Sequence, residues 1–357
     1  MNDLASSDID SSTDIQWSWN PNQSSLDEFD RVKWEPFSDI ESSIIEEAFT
    51  AKQTHVTLRN YHIDFKSMSQ ISIDVDGQKR LVRREIRRRN ERHLRDNHVI
   101  SDPILPLWQF NSSYGWIAVF IREVKKALKL RNRKLPSRNK KFIPIIVEKA
   151  AQGIIEEGRA IGRLREAERL AEKLIEHKDK EIQEVWKCCA YLFTLDTFLF
   201  QVLNETMRLI GSEEHEKEWR SKIHTLGPYC LLLWDDPINR KPNTSNEVLF
   251  RGVKLSEDMI TAFKSCSPNK HGTFQAFSAC TRNRRVAEQF GNVIFIIKVK
   301  YAYTMDLSAL SQFPEEEEVL VSPGVCFTVD RVEFDEEANK HLIYLELDHR
   351  LNGKYDA

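Results

Sequence analysis

Hydrophobic and polar positions along the chain fall into three textures. From about 15 to 84, short alternating runs such as "HVTLR" and "YHIDF" are broken by turn residues, "VDGQKR" among them, and predict a small, strongly bent sheet. One helix interrupts it. In "DIESSIIEEAFTAK", residues Ile40, Ile44, Ile45, Ala48 and Phe49 recur at spacings of three and four, giving one apolar stripe for the sheet to cover. From about 85 to 225 the period becomes helical, first in the basic "REIRRRNERHLRDN" and then in an amphipathic stretch from "IPIIVEKAAQ" to "VLNETMRLIG". Acids and bases four apart in "EAERLAEKLIEHKDKE" support exposed helix faces, while Pro136 and Pro144 flank a loop. From about 226 to 350 the runs "YCLLLW", "EVLFRGV", "VIFIIKV", "EVLVSP", "VCFTVDRVEF" and "HLIYLEL" predict strands of a packed mixed or antiparallel sheet. The fold class is α+β.

The length, 357 residues, allows two or three domains. With 52 basic against 55 acidic residues the net charge is -3, so neither nucleic-acid nor membrane binding follows from the total. The six cysteines, at 188, 189, 230, 266, 280 and 326, show no CxxC spacing and no accompanying histidine cluster. That excludes a zinc site or disulfide framework and reads as reduced thiols, with no metal expected. The acidic, serine-rich "MNDLASSDIDSSTDIQ" is unlike a signal peptide, and residues 1–14 read as a disordered lead-in. No stretch reaches the ~20 apolar residues needed to cross a bilayer. A cytoplasmic or nuclear protein with no membrane partner is expected.

Candidate chemistry begins at "FPEEEEVL", residues 313–320, where four carboxylates abut an apolar strand. Taken alone it is a solvated loop. Two earlier stretches change that: "LFRG" at 249–252 and "FSACTRN" at 277–283. An arginine at a strand end, a hydroxyl-bearing strand and an acidic E-x-E before a strand, in that order, resemble the R-S-E class of mono-ADP-ribosyltransferases, rotifer-type members among them. The flanks "TLGPY", "RNRRVAEQFGNVIFI" and "DLSALSQF" are similar too, as is the upstream "VWKCCAYLFTLDTFLFQVLNETMR", so the likeness runs over 165–350. It implies a helical lobe plus two packed mixed or antiparallel sheets, with NAD as substrate and an arginine-bearing target protein as acceptor.

Strand alternation would aim Glu316 and Glu318 into the cleft and Glu315 and Glu317 away from it. The resemblance makes Glu318 the catalytic glutamate, stabilising the charge that develops as nicotinamide leaves. Glu316 would hold the acceptor guanidinium and take its proton. Arg251 would contact the NAD phosphates and ribose, and Gly252 would leave room for a backbone bond to the nicotinamide amide. The second motif departs from the family's Phe-Thr-Ser-Thr-Ser: Ala279 stands where the first serine of the triplet would, leaving Ser278 and Thr281 as the hydroxyls expected at the cofactor. A lost hydrogen bond there opens two alternatives, a non-catalytic ADP-ribose-binding scaffold and an NAD glycohydrolase.

At the other end, "WSW" at 17–19, "WEPFS", "IEEAF", "YHIDFKSMSQ" and "KRLVRR" closely resemble a WWE domain over 15–84. The resemblance implies a half-barrel sheet with one helix that reads iso-ADP-ribose or poly-ADP-ribose through Trp34, Tyr61, Gln70 and Arg80. Ser18 replaces a tyrosine of ligand-binding members, and of Trp17 and Trp19 at least one belongs to the core. Between the two modules, 85–164 reads as a basic and helical connector. The run 79–95 is the densest positive segment, fitting a solvated helix face or an anionic polymer, nucleic acid included.

Overall fold

The computed structural model describes residues 13–21, 34–58, 61–73, 79–88, 119–131, 134–238, 241–266, 271–311 and 314–348. Nearly all of the expected lead-in over 1–14, and both Trp108 and Trp116 of the connector, lie outside the described residues. The chain forms two compact units.

The first unit is built from β1 (Thr13–Trp19), β2 (Glu35–Pro36), α1 (Asp39–Thr50), β3 (His55–Thr57), β4 (Tyr61–Asp64), β5 (Ser69–Ser72) and β6 (Lys79–Arg88). The strands make one antiparallel sheet in the order β2-β1-β6-β5-β4-β3. Ser38 and Glu41 close a capping box that starts α1, each side chain meeting the other's backbone N–H at 3.2 Å. The helix then buries Ile45 and Ala48 against Trp17, Val56, Ile63 and Val82.

The basic run corrects one expectation. Residues 85–88, read as the start of a helix, continue β6, because they pair residue for residue with β1 from Arg88 opposite Thr13 to Val82 opposite Trp19. A cross-strand ladder outweighs a charge pattern that a helix would also accept. Three of its arginines are engaged within the unit: Arg84 meets Glu46 at 2.7 Å, Arg80 lies over Trp19 and Arg83 over Trp34. The run past Arg88 lies outside the described residues. Ile161–Arg169 also belongs to this unit, and there the Arg169 guanidinium meets Glu47.

The second unit begins with helices: α2 (Val119–Ala127), α3 (Ile143–Ala160), the rest of α4 (Leu164–Ile175), α5 (Ile182–Thr194), α6 (Phe198–Arg208), α7 (Glu216–Ser221) and α8 (Gly227–Trp234). Here "YCLLLW", expected as a strand, is α8. A short, continuous apolar run suits a buried strand or a buried helix equally. The decision falls to Pro228 at the first turn and to neighbours that close on every side: all seven residues Gly227–Leu233 are buried. Gly153 of α3 lets the helix approach the Thr225 backbone, where a Cβ would lie 1.9 Å from the carbonyl oxygen. Helices α2 and α3, from the stretch read as connector, thus pack into the helical lobe.

The strands follow: β7 (Val248–Val253), α9 (Glu257–Cys266), β8 (His271–Thr273), β9 (Ser278–Thr281), α10 (Arg284–Ala287), β10 (Val293–Tyr301), β11 (Thr304–Asp306), β12 (Glu318–Val321), β13 (Cys326–Asp335) and β14 (Lys340–Asp348). Hydrogen bonding runs β11-β12-β9-β7-β10-β14-β13-β8, with β10 and β14 parallel. The join between β9 and β7 is a single register pair, Phe250 opposite Thr281. On its two sides lie a three-stranded and a five-stranded portion, and one apolar core takes Cys280, Val319 and Val321 from the first and Leu249, Val253, Phe295 and Leu345 from the second. This seam, held by one register pair, is the narrowest join in the eight-stranded sheet. No helix among the described residues is long and apolar enough to cross a membrane.

Candidate active site

The seam holds a small, open-mouthed cavity of about 50 Å³. Strand β7 supplies Phe250, Arg251 and Gly252, β9 supplies Ala279, Cys280 and Thr281, and Glu316 from the turn before β12 and Glu318 at its first position close it. The remaining wall is Phe200 of α6 with Val286, Ala287 and Phe290. Arg251 is buried and donates from Nη1 to the Ala279 carbonyl at 2.8 Å. Burial holds its guanidinium below the usual arginine range, against the pull of Cys280 and Glu318. Gly252 is required by packing: a Cβ would sit 2.1 Å from the Ala287 carbonyl oxygen and 2.7 Å from the Phe290 side chain. The direction a side chain would take from residue 252 is therefore filled by the Ala287–Phe290 segment.

The two glutamates reach the cavity by a route other than alternation. Glu316 ends a 3-10 turn (Pro314–Glu316), Glu317 takes a left-handed conformation at φ 46, and the strand starts only at Glu318. The left-handed residue resets the chain direction, so both flanking carboxylates face one space while Glu315 and Glu317 are exposed. All three carbonyls of 316–318 are held: Thr281 Oγ1 donates to Glu316 O at 2.5 Å, Arg282 N–H to Glu317 O at 3.3 Å, and Leu307 N–H to Glu318 O at 2.9 Å. Glu318 is buried at 3% exposure, whereas Glu316 is half-buried.

In the first unit, residues opposite one another in the ladder share a face, which puts Trp19 with Val82, Tyr61 with Ser72 and Gln70 with Arg80. The Arg80 guanidinium lies 4.7 Å from the Trp19 ring centre. Gln70 Oε1 and Arg80 Nε are buried without a hydrogen-bond partner. The Tyr61 hydroxyl donates to Glu41 at 3.1 Å, and burial, followed by the Glu41 charge, raises its pKa. Trp34 is elsewhere: Arg83 covers it at 4.4 Å, and along β6 Arg83 points to the side opposite Arg80 and Val82.

The WWE domain family model matches residues 15–84, and that of NAD:arginine ADP-ribosyltransferase matches residues 187–350. The chain joins a WWE domain to an ADP-ribosyltransferase domain. Members of the transferase family use NAD as substrate. No curated protein matches the chain in sequence. Similar solved structures include the ADP-ribosyltransferase HopU1 of Pseudomonas syringae, at 20% identity and TM-score 0.39 over 50% of this chain and 87% of that one. The type III effector XopAI of Xanthomonas axonopodis is 17% identical at TM-score 0.44, over 64% of this chain and 97% of its own. Exoenzyme S of Pseudomonas aeruginosa, solved with human 14-3-3 beta and bound to carba-NAD, is 17% identical at TM-score 0.37, over 59% and 94%.

Within the transferase domain, five of the sequence-predicted residues converge on the cavity: Arg251, Gly252, Thr281, Glu316 and Glu318. Ser278 is not among its lining residues. It is buried and its hydroxyl donates toward the Ala276 carbonyl at 3.4 Å. Thr281 lines the cavity with its hydroxyl already committed to Glu316 O. Sequence reasoning missed α6, where Phe200, Asn204 and Arg208 recur four apart and so share a face. Phe200 lines the cavity, and Asn204 is buried with both amide atoms unpartnered. The Arg208 pKa is drawn down to about 9, first by burial and then by the Arg251 charge. The spacing was visible, but a half-apolar helix face reads first as core. In the WWE domain the structure brings together Tyr61, Gln70 and Arg80, adds Trp19 and leaves Trp34 out. Among the described residues no cluster of three or more His, Cys, Asp or Glu could hold a metal ion.

Proposed function

We propose that this protein transfers ADP-ribose from NAD to an arginine side chain of a target protein, and that its WWE domain reads iso-ADP-ribose or poly-ADP-ribose. The observation that carries the first half is the meeting of Arg251, Glu316 and Glu318 at one cavity. Arg251 and Arg208 are two desolvated guanidinium groups, and the Arg251 charge adds to burial in lowering Arg208, an arrangement that an anionic diphosphate relieves. The buried Glu318 carboxylate opposes the positive charge that builds on the ribose as its bond to nicotinamide breaks, and low dielectric strengthens that effect. Glu316, closer to solvent, is placed to hold an incoming guanidinium and accept the proton it loses on attack. Water attacking in its place gives NAD hydrolysis, and Ala279 brings no hydroxyl to the site, so the glycohydrolase and the scaffold are the competing readings.

Support for the second half is the pair Gln70 and Arg80, whose buried, unpartnered Oε1 and Nε lie on one face with Trp19 and Tyr61. Two hydrogen-bonding atoms held dry beside aromatic rings suit a ligand with ring faces and phosphates. Labelled NAD tests the first half. Protein-bound label that an arginine-specific hydrolase removes supports the proposal, free ADP-ribose alone supports the glycohydrolase, and no turnover supports the scaffold. Glu318→Gln should abolish both reactions, while Glu316→Gln should spare hydrolysis and weaken transfer.

A further inference from the structure

Arg282 directly follows the last residue of β9 and is no part of the cavity wall, yet it touches both sides of the seam. Its Nε donates to Glu247 at 2.9 Å, in the segment leading into β7 and Arg251, and its Nη1 donates to Asp306 at 2.8 Å, the last residue of β11. Each acid is fixed in turn. Glu247 accepts from Asn243 Nδ2 at 2.6 Å, and that same nitrogen lies 3.1 Å from Thr304 Oγ1. Asp306 accepts from the Ser308 N–H at 3.0 Å and its hydroxyl at 2.7 Å. Burial would raise the Asp306 carboxyl, but Ser308 and Arg282 outweigh it and hold it below the usual aspartate range.

The backbone of the same residue completes the tie. Arg282 N–H meets the Glu317 carbonyl, and Leu307, next to Asp306, meets the Glu318 carbonyl. Arg282 therefore joins, through its side chain, the segment leading to Arg251 and the end of β11, and, through its backbone N–H, the turn that aims Glu316 and Glu318. We propose that Arg282 is a positioning residue for the two-glutamate turn, its planar, two-armed guanidinium holding the segments on either side of it. The inference rests on the reading of Glu316 and Glu318 as the acting carboxylates. Its ion pairs are partly exposed, with Arg282 at 34% and Asp306 at 56%, so each adds little to overall stability. Their effect is on geometry, and small misplacements of acting groups are costly in rate.

The test compares the full chain with its Arg282→Gln and Arg282→Lys variants, reading NAD turnover and amide hydrogen exchange. Arg282→Gln should lower kcat roughly 10- to 100-fold with KM for NAD within about twofold. Exchange at the Arg282 and Leu307 amides should quicken roughly tenfold or more while amides of β10 and β14 stay unchanged. Arg282→Lys, which reaches one acid but not both, should recover only a minor part of the loss. Unchanged exchange at those two amides overturns the proposal, as does faster exchange spread through β10 and β14, or a change in KM alone. Should the unaltered protein show no NAD turnover, the catalytic reading fails, and exchange at the two amides still decides whether Arg282 holds the turn.

Discussion

The transferase cavity and the WWE face each contain an arginine picked out by resemblance, and they treat it differently. Arg251 sits in a strand flanked by two others, its guanidinium fixed on the Ala279 carbonyl, with every predicted neighbour except Ser278 at the same cavity. Arg80 leans on an aromatic ring with one nitrogen unpartnered, and of its three predicted companions Trp34 lies on the far side of β6. Residues carried over by likeness keep their meeting point where contiguous strands dictate which way each side chain points. Trp34 precedes a strand of only two residues, so no long ladder fixes its direction.

The largest expected effect separates the two sites outright. Glu318→Gln should cut NAD turnover about 100- to 1,000-fold, as removal of a fixed charge at a developing one does, and leave polymer binding at the WWE domain unchanged. Next comes the reverse experiment. Arg80→Ala should weaken poly-ADP-ribose binding roughly 10- to 100-fold by titration calorimetry while turnover is unaffected, and Trp34→Ala should weaken it less than about twofold. Equal losses at Trp34 and Arg80 would show that the face has been drawn wrongly. Gly252→Ala should destabilise the transferase domain by about 1–3 kcal/mol in denaturant unfolding, because the Ala287 carbonyl is backbone and cannot step aside. At the small end, Ala279→Ser should raise kcat by no more than about tenfold. Burial pushes the Cys280 thiol up to about 12, so it stays protonated through neutral and mildly alkaline pH, and iodoacetamide should leave turnover unchanged.

Much of this was legible in the chain, and the failures share a cause. The stripe of α1 and the long strands β7, β10, β13 and β14 could be read because period and residue type agreed. "YCLLLW" carried no period, so only its neighbours could make it a helix. The start of "REIRRR" carried a helical charge pattern but belonged to a ladder with residues some seventy positions away. At the site, the ordering of arginine, hydroxyl strand and glutamates predicted the convergence, yet the conformation that aims the glutamates is the left-handed Glu317, which no alternation rule contains. Arg208 and Arg282 were missed for a related reason. Each feels groups distant in sequence, the Arg251 charge for the one and Glu247 with Asp306 for the other, and charged residues on helices or after strands look solvated until those groups are located.

A crystal structure of the full chain with a non-hydrolysable NAD analogue tests the central claim most directly. The account predicts the analogue in the seam between β7 and β9, its diphosphate within hydrogen-bond distance of Arg251 and its nicotinamide-side ribose against Glu318. An analogue bound at another surface, or absent from the seam at millimolar concentration, would contradict it.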